Sequence, residues 1–302
     1  MKPVVLMDGG MGQELIRRAT GKPTPAWSAE VMDVEPGLVS DVHLDNIRAG
    51  ARSITVNTYS VMEARLESVG KVDRFEALQN KACELAVAAR DESGEEVTIT
   101  GCLSPYVWSY RPGLNPGVDE MIPAYRAAAR IQAQHVDVML CETMGSGDEA
   151  LAAATAAAET GKPVWVSWTM KDDGSGLVRS GETLAEANAK LTGLPIAARL
   201  MNCSCPESMD AALDDLLALE GPTGIYANGF TGIKEYFTAG TTVEDLDART
   251  DLGPEQYADF AMRWAEAGVS MIGGCCEISP SHISRLKTRL LDGGFEIGRQ
   301  PA

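Results

Sequence analysis

The sequence predicts an α/β fold of the (β/α)8 barrel class, as a single domain over residues 1–302. Two observations carry this. Short runs rich in β-formers alternate eight times with longer helical patterns, which is the signature of a parallel barrel. A chain of 302 residues is also long enough for one such barrel. The alternative is a doubly wound sheet, which rarely needs eight repeats. No G-x-G-x-x-G follows the first strand, and GGMG at 9–12 lacks the spacing for a dinucleotide site.

In order, the β-rich runs fall near 3–8, 53–57, 97–101, 136–141, 163–169, 196–202, 223–227 and 269–273. The helical patterns between them cover about 36–49, 73–92, 119–134, 147–160, 182–192, 207–219, 255–267 and 280–291. Pro36 and Pro280 sit at first-turn positions, and Gly50, Gly161, Gly193 and Gly268 lie just past helix ends. The run EALQNKACELAVAARDE has apolar residues at i, i+3, i+4 spacing. Ala-rich 150–158 suits a helix because alanine has the highest helix propensity. The Gly/Thr-rich stretch 228–254 reads as a long loop after the seventh strand.

Composition narrows the function. Acidic residues outnumber basic ones 43 to 26, for a net charge of −17. Such a field repels a phosphate polymer, so nucleic acid is not an expected partner. No run of 18 apolar residues offers a membrane span. The first residues, MKPVVLMDGG, lack the apolar core and cleavage site of a signal peptide. A cytoplasmic location is expected, where the seven cysteines stay reduced.

In a barrel, chemistry gathers at the C-terminal ends of the strands. Those ends place Cys203 after strand 6 and the adjacent pair Cys275–Cys276 after strand 8. Strands 6 and 8 both flank strand 7, so three sulfurs converge on one rim. Three thiolates suit Zn²⁺ and leave a fourth tetrahedral position open, as in catalytic zinc sites. His43, His135 and His282 fall on predicted helices and supply no ligand. Gly273 and Gly274 are expected to let the backbone bend so that both neighbouring cysteines reach one ion. Cys83, Cys102 and Cys141 read as buried small hydrophobes. Cys205, two residues from Cys203, competes as a ligand.

The GGCC after the last strand, paired with NC after the sixth, resembles the homocysteine S-methyltransferase family. That resemblance runs nearly end to end. It takes in DGGMGQEL at 8–15, TPAWSAE at 24–30, H-x-x-N-I-R-A-G-A at 43–51 and ITVNTYS at 54–60. ETM at 142–144, MNCS at 201–204 and GGCCEISPSHI at 273–283 complete it. The chain departs from the family at Gln13, where threonine is common, and at Ala227, where users of S-methylmethionine tend to carry proline.

The resemblance implies a zinc barrel that methylates the thiol of homocysteine to give methionine. The thiolate is the reactive form of a thiol, and coordination to Zn²⁺ keeps it deprotonated near neutral pH. By the family pattern Asp8 and Glu142 surround the substrate amino group, and Thr58 supplies a hydroxyl to the same pocket. Backbone N–H groups at Gly9 and Gly10 are expected to take the carboxylate. Trp27 matches a position near the cationic methyl donor, and aromatic faces attract cations. Tyr59, Trp108, Tyr110, Trp168 and Tyr226 are further rim candidates. Asn202 and Asn228 read equally as loop stabilisers or site residues. A sulfonium, with S-methylmethionine first, is the expected donor. Betaine as donor, another thiol or a selenol as acceptor, and a non-catalytic zinc- or thiol-binding barrel remain as alternatives.

Overall fold

The structure, a computed structural model, describes residues 3–21, 26–233 and 246–299. The elements run β1 (Pro3–Leu6), α1 (Met11–Arg18), α2 (Trp27–Val34), α3 (Pro36–Ala49), β2 (Ser53–Thr55), α4 (Glu63–Ser68), α5 (Phe75–Ser93), β3 (Thr98–Leu103), α6 (Val118–Gln132), β4 (Val138–Met144) and α7 (Gly147–Ala158). They continue with β5 (Val164–Trp168), α8 (Leu184–Ala189), β6 (Ile196–Asn202), α9 (Pro206–Ala211), α10 (Leu213–Leu217), β7 (Thr223–Tyr226), α11 (Pro254–Ala267), β8 (Met271–Ile272), α12 (Pro280–Asp292) and β9 (Glu296–Gly298).

The strands form one parallel sheet in the order β2-β3-β4-β5-β6-β7-β8-β1-β9. A parallel bridge between Met7 and Ser53 joins β1 to β2, and Arg52 N–H donates to Leu6 C=O at 2.7 Å. The eight expected strands thus close as a (β/α)8 barrel. β9 is an addition that pairs with β1 from Pro3 to Val5.

Alternation along each strand splits the core in two. Val5 and Met7, Val138 and Leu140, and Ala198 and Leu200 join Trp165, Tyr226 and Met271 in one cluster inside the barrel. The opposite parity, including Val4, Leu6, Met139, Cys141, Val164 and Val166, packs with the helices.

Helix ends follow local chemistry. Pro36 opens α3, and Gly50 at φ 122° receives its end, donating to Asn46 and Ile47 C=O. Thr183 and Glu186 form a capping box on α8. The segment 228–254 is less open than expected at its two feet. Phe230 and Ala248 form an antiparallel bridge, and Arg249 N–H donates to Gly229 C=O at 2.8 Å. Residues 234–245 of that segment lie outside the described residues. Among the described residues no helix is long and apolar enough to cross a membrane.

Candidate metal centre and acceptor pocket

Cys203 follows β6 directly, and Cys275 and Cys276 follow β8. Their sulfurs lie within 4.8 Å of one another. The Cys203–Cys276 separation is 3.7 Å and the Cys275–Cys276 separation 4.0 Å. A tetrahedral ion with Zn–S bonds of about 2.3 Å needs sulfurs about 3.8 Å apart, so the donor set fits zinc in both chemistry and spacing. The thiols of Cys275 and Cys276 and the hydroxyl of Tyr110, 3.0 Å away, hold Cys203 well below the ordinary thiol value. Cys275 and Cys276 are pushed up by sharing their protons with it and by burial. Three sulfurs this close cannot all ionise without a cation among them.

The other cysteines stand apart. Cys205 occupies the N-cap position of α9 without a side-chain cap bond, its sulfur 3.1 Å from the Ser208 hydroxyl. Burial pushes Cys83 up to about 12, as suits a core thiol. His43 lies in α3, buried and lowered to about 4 by desolvation. His282 lies in α12, and His135 reaches Asn80.

The backbone around the sulfurs is strained. Among the described residues, four that are not glycine have positive φ: Tyr110 (66°), Thr143 (61°), Cys203 (52°) and Glu277 (66°). Each is one of the three clustered cysteines, touches one, or directly follows Glu142 or Cys276. Left-handed non-glycine residues cost about 1–3 kcal/mol each and cluster at functional sites. Asn202 restrains one of them. Its Oδ1 accepts from Thr143 N–H at 3.1 Å and Ser167 Oγ at 2.7 Å, and its Nδ2 donates to Thr143 Oγ1 at 2.7 Å. Asn202 is therefore a bolt between β4, β5 and β6. Asn228 similarly steadies its loop by accepting from Phe230 N–H at 3.1 Å.

Glycine serves this site through close approach rather than bending. A Cβ on Gly274 would fall 2.1 Å from Ile278 Cγ2, and one on Gly273 would fall 2.6 Å from Met7 Cβ. Neither residue is among those with positive φ. Gly274 N–H donates to Asp8 C=O at 2.9 Å, tying the cysteine loop to the end of β1. Tyr257 of α11 donates to Gly273 C=O at 2.6 Å and accepts from Ala227 N–H at 3.1 Å. No motif pointed to Tyr257, because its role depends on where α11 packs. Gly274→Ala should destabilise the fold by about 1–3 kcal/mol, the usual cost of overpacking, and displace both cysteines. Thermal unfolding and metal content measured on one sample check this, and an unchanged melt would refute it.

Near the sulfurs stand two carboxyls, Glu142 buried and Asp8 half-buried. Glu142, in β4, accepts from Cys102 Sγ at 3.1 Å. Desolvation raises it to about 7, partly offset by that hydrogen bond. Asp8 accepts from Thr55 N–H at 2.8 Å. Desolvation raises it to about 8 despite that bond, with Glu142 adding repulsion. The two raised carboxyls lie close enough to repel each other, so a cation placed between them would favour their ionised forms. Cys102 was expected only as packing. Its contact with Glu142 arises from the pairing of β3 with β4 (Leu103 opposite Cys141), which no local motif marks.

Three expected contacts turn out differently. Gly9 N–H donates to Asn46 Oδ1 at 3.0 Å and Gly10 N–H to Ile278 C=O at 2.8 Å, so neither is open to a carboxylate. Their smallness instead lets β1's loop lie on 275–278, where a Cβ on Gly10 would come 2.6 Å from Cys275 C=O. Thr58 is fully buried, and its hydroxyl donates to Cys102 C=O at 2.9 Å, leaving no donor for a ligand. The rim aromatics are also engaged. The Arg65 guanidinium lies 5.2 Å from the Tyr59 ring centre and 6.0 Å from Trp108, and Arg179 lies 5.1 Å from Tyr110. Trp168 is fully buried in the core and Tyr226 lies in the barrel interior. Trp27 opens α2, and its side chain lies outside the described residues.

Fold and site together define a (β/α)8 barrel with three cysteine sulfurs gathered at its catalytic rim. Residues 5–290 match the family model for homocysteine S-methyltransferase, and the chain belongs to that family. It is 31% identical to the homocysteine S-methyltransferase of Escherichia coli K12, with 95% of each chain covered. It is 26% identical to the selenocysteine Se-methyltransferase of Brassica oleracea var. italica, covering 95% of this chain and 88% of that one. The metallated crystal form of the E. coli homocysteine methyltransferase MmuM superposes with a TM-score of 0.77 at 29% identity, covering 95% and 96% of the two chains. The chain is thus a methyltransferase of the homocysteine family.

Proposed function

We propose that the protein transfers a methyl group from a small sulfonium compound to the thiol of homocysteine, with Zn²⁺ held by Cys203, Cys275 and Cys276. The observation that carries this reading is three sulfurs within 4.8 Å of one another beside the raised carboxyl of Glu142, which feels the charge of Cys203 and itself repels Asp8. When bound, zinc supplies Lewis acidity that keeps the acceptor sulfur deprotonated near neutral pH.

The chain's own residues do the rest. Asp8 and Glu142 receive the acceptor's ammonium, whose positive charge favours their ionised forms, so binding releases protons below pH of about 7–8. Asn202, through Thr143, fixes the turn next to Glu142. The acceptor sulfur then attacks the methyl carbon in line. The bond from that carbon to the donor sulfur breaks, and its electron pair stays on the donor as a neutral thioether. An anion and a cation become two neutral products, so alignment and exclusion of water are the protein's main contributions. Trp27 is the proposed contact for the donor cation, worth about 0.5–2 kcal/mol.

A sulfonium is favoured because its methyl leaves more readily than one on a quaternary ammonium. Steady-state assays at saturating homocysteine, with S-methylmethionine, S-adenosylmethionine, dimethylsulfoniopropionate, betaine and methylfolate in turn, test this. Turnover is expected with a sulfonium, S-methylmethionine first. Turnover with betaine and none with any sulfonium would overturn the donor assignment. A selenol acceptor is a second reading, supported by the similarity to a selenocysteine Se-methyltransferase. Comparing kcat/KM for homocysteine and selenocysteine under one donor separates the two.

A further inference from the structure

Arg65 lies in α4, its guanidinium 5.2 Å from the Tyr59 ring centre and 6.0 Å from that of Trp108. One Nη donates at 3.0 Å to the buried hydroxyl of Ser109, which the Tyr59 hydroxyl also meets at 2.8 Å. Its Nε is buried and has no hydrogen-bond partner. Among the described residues no carboxylate pairs with Arg65, whereas the half-buried Arg18, Arg52, Arg179 and Arg249 each have one. Glu149 is close enough to feel Arg65, but it spends its oxygens on the N–H groups of Tyr106 and Gly145 and on the Asn115 amide. A half-buried cation with a desolvated donor left over is costly until an anion meets it.

The surroundings say which anion that is. α4 follows β2 and Trp108–Tyr110 follows β3, so both lie on the rim that carries the cysteines. Tyr110, next to Ser109, places its hydroxyl 3.0 Å from Cys203 Sγ. Ser60, next to Tyr59, meets the Ser28 hydroxyl at 2.7 Å, which joins this segment to α2, the helix that opens at Trp27. A cation standing here repels a cationic methyl donor unless the donor also brings an anion. We propose that the Arg65 guanidinium binds the carboxylate of the methyl donor, so that the enzyme selects a sulfonium that carries one. The inference rests on the donor reading above. A guanidinium fork matches a carboxylate in geometry. The rings of Tyr59 and Trp108 and the bond to Ser109 hold that fork in place before the donor arrives, which lowers the ordering cost of binding.

Dimethylsulfoniopropionate and dimethyl(propyl)sulfonium share a skeleton and differ in ending on a carboxylate or a methyl. Their inhibition constants against the parent's working donor are compared in the parent, Arg65→Met and Arg65→Lys. Hydrogen bonds to charged groups contribute about 10- to 100-fold in affinity. Arg65→Met should therefore bind the carboxylate compound roughly 10- to 100-fold more weakly, and the carboxylate-free compound as the parent does. Arg65→Lys keeps the charge but loses the fork, so it should fall between the two. The dissociation constant of homocysteine should stay level. An equal loss for both sulfoniums would mean that Arg65 only braces residues 108–110. A loss confined to homocysteine would give Arg65 the acceptor's carboxylate instead. Either result overturns the inference, as does unchanged binding of every ligand in Arg65→Met. A parent that works with betaine and no sulfonium would overturn the donor reading, and betaine against ethyltrimethylammonium then puts the same question to Arg65.

Discussion

Cys276→Ser is expected to lose its metal. Zinc sites bind with about 10–16 kcal/mol shared over their ligands, so removing one sulfur costs about 3–4 kcal/mol, or a factor of about 10²–10³. Cys203→Ser and Cys275→Ser should behave alike, because the three sulfurs form one cluster. Cys83→Ser and Cys205→Ser should keep a full equivalent of metal, since Cys83 is buried on α5 and Cys205 turns to Ser208. Metal analysis of the dialysed proteins decides this. A fully loaded Cys276→Ser protein would remove that residue from the centre.

Glu142→Gln should move two quantities in opposite directions. Homocysteine affinity should fall by about 2–5 kcal/mol, the cost of breaking a desolvated charge pair on one side, with zinc content unchanged. Stability of the free protein should rise above pH 7. The carboxyl of Glu142 is raised to about 7 in the fold, against about 4.3 in an unfolded chain. Between those values the folded protein holds a proton that the unfolded chain has lost. Stability therefore falls as pH rises through the window, and Asp8, raised to about 8, extends it. Glutamine abolishes Glu142's share, a gain on the order of 1–3 kcal/mol at pH 8. Calorimetric titration with homocysteine and thermal melts at pH 5 and pH 8 check both signs. A variant with unchanged affinity and the parent's pH slope would place Glu142 outside the pocket.

The barrel was legible because its signals are local. α3 begins at Pro36 and ends before Gly50, as its punctuation implies, and even the two-residue β8 sits inside a recognisable apolar run. The unforeseen elements carry weak signals. α1, α2 and α4 have no side-chain cap, and β9 is three residues long. The predicted helix at 207–219 breaks into α9 and α10 around Ala212.

At the site, residue type and strand-end position sufficed to bring the three cysteines together. What could not be read was where each donor is spent. The hydroxyl of Thr58 goes to Cys102 C=O, and the N–H groups of Gly9 and Gly10 go to Asn46 and Ile278. Those partners lie 44, 37 and 268 positions away, so only the fold reveals them. The same holds for Gly273 and Gly274, whose smallness answers to Met7 and Ile278 rather than to a turn.

The central claim is that the acceptor's sulfur joins the three cysteine sulfurs at one zinc ion. X-ray absorption at the zinc edge, with and without homocysteine, tests it most directly. Three sulfur neighbours and one lighter atom are expected for the enzyme alone, and four sulfurs once homocysteine is added. A sulfur count that stays at three when homocysteine saturates the protein would contradict the account.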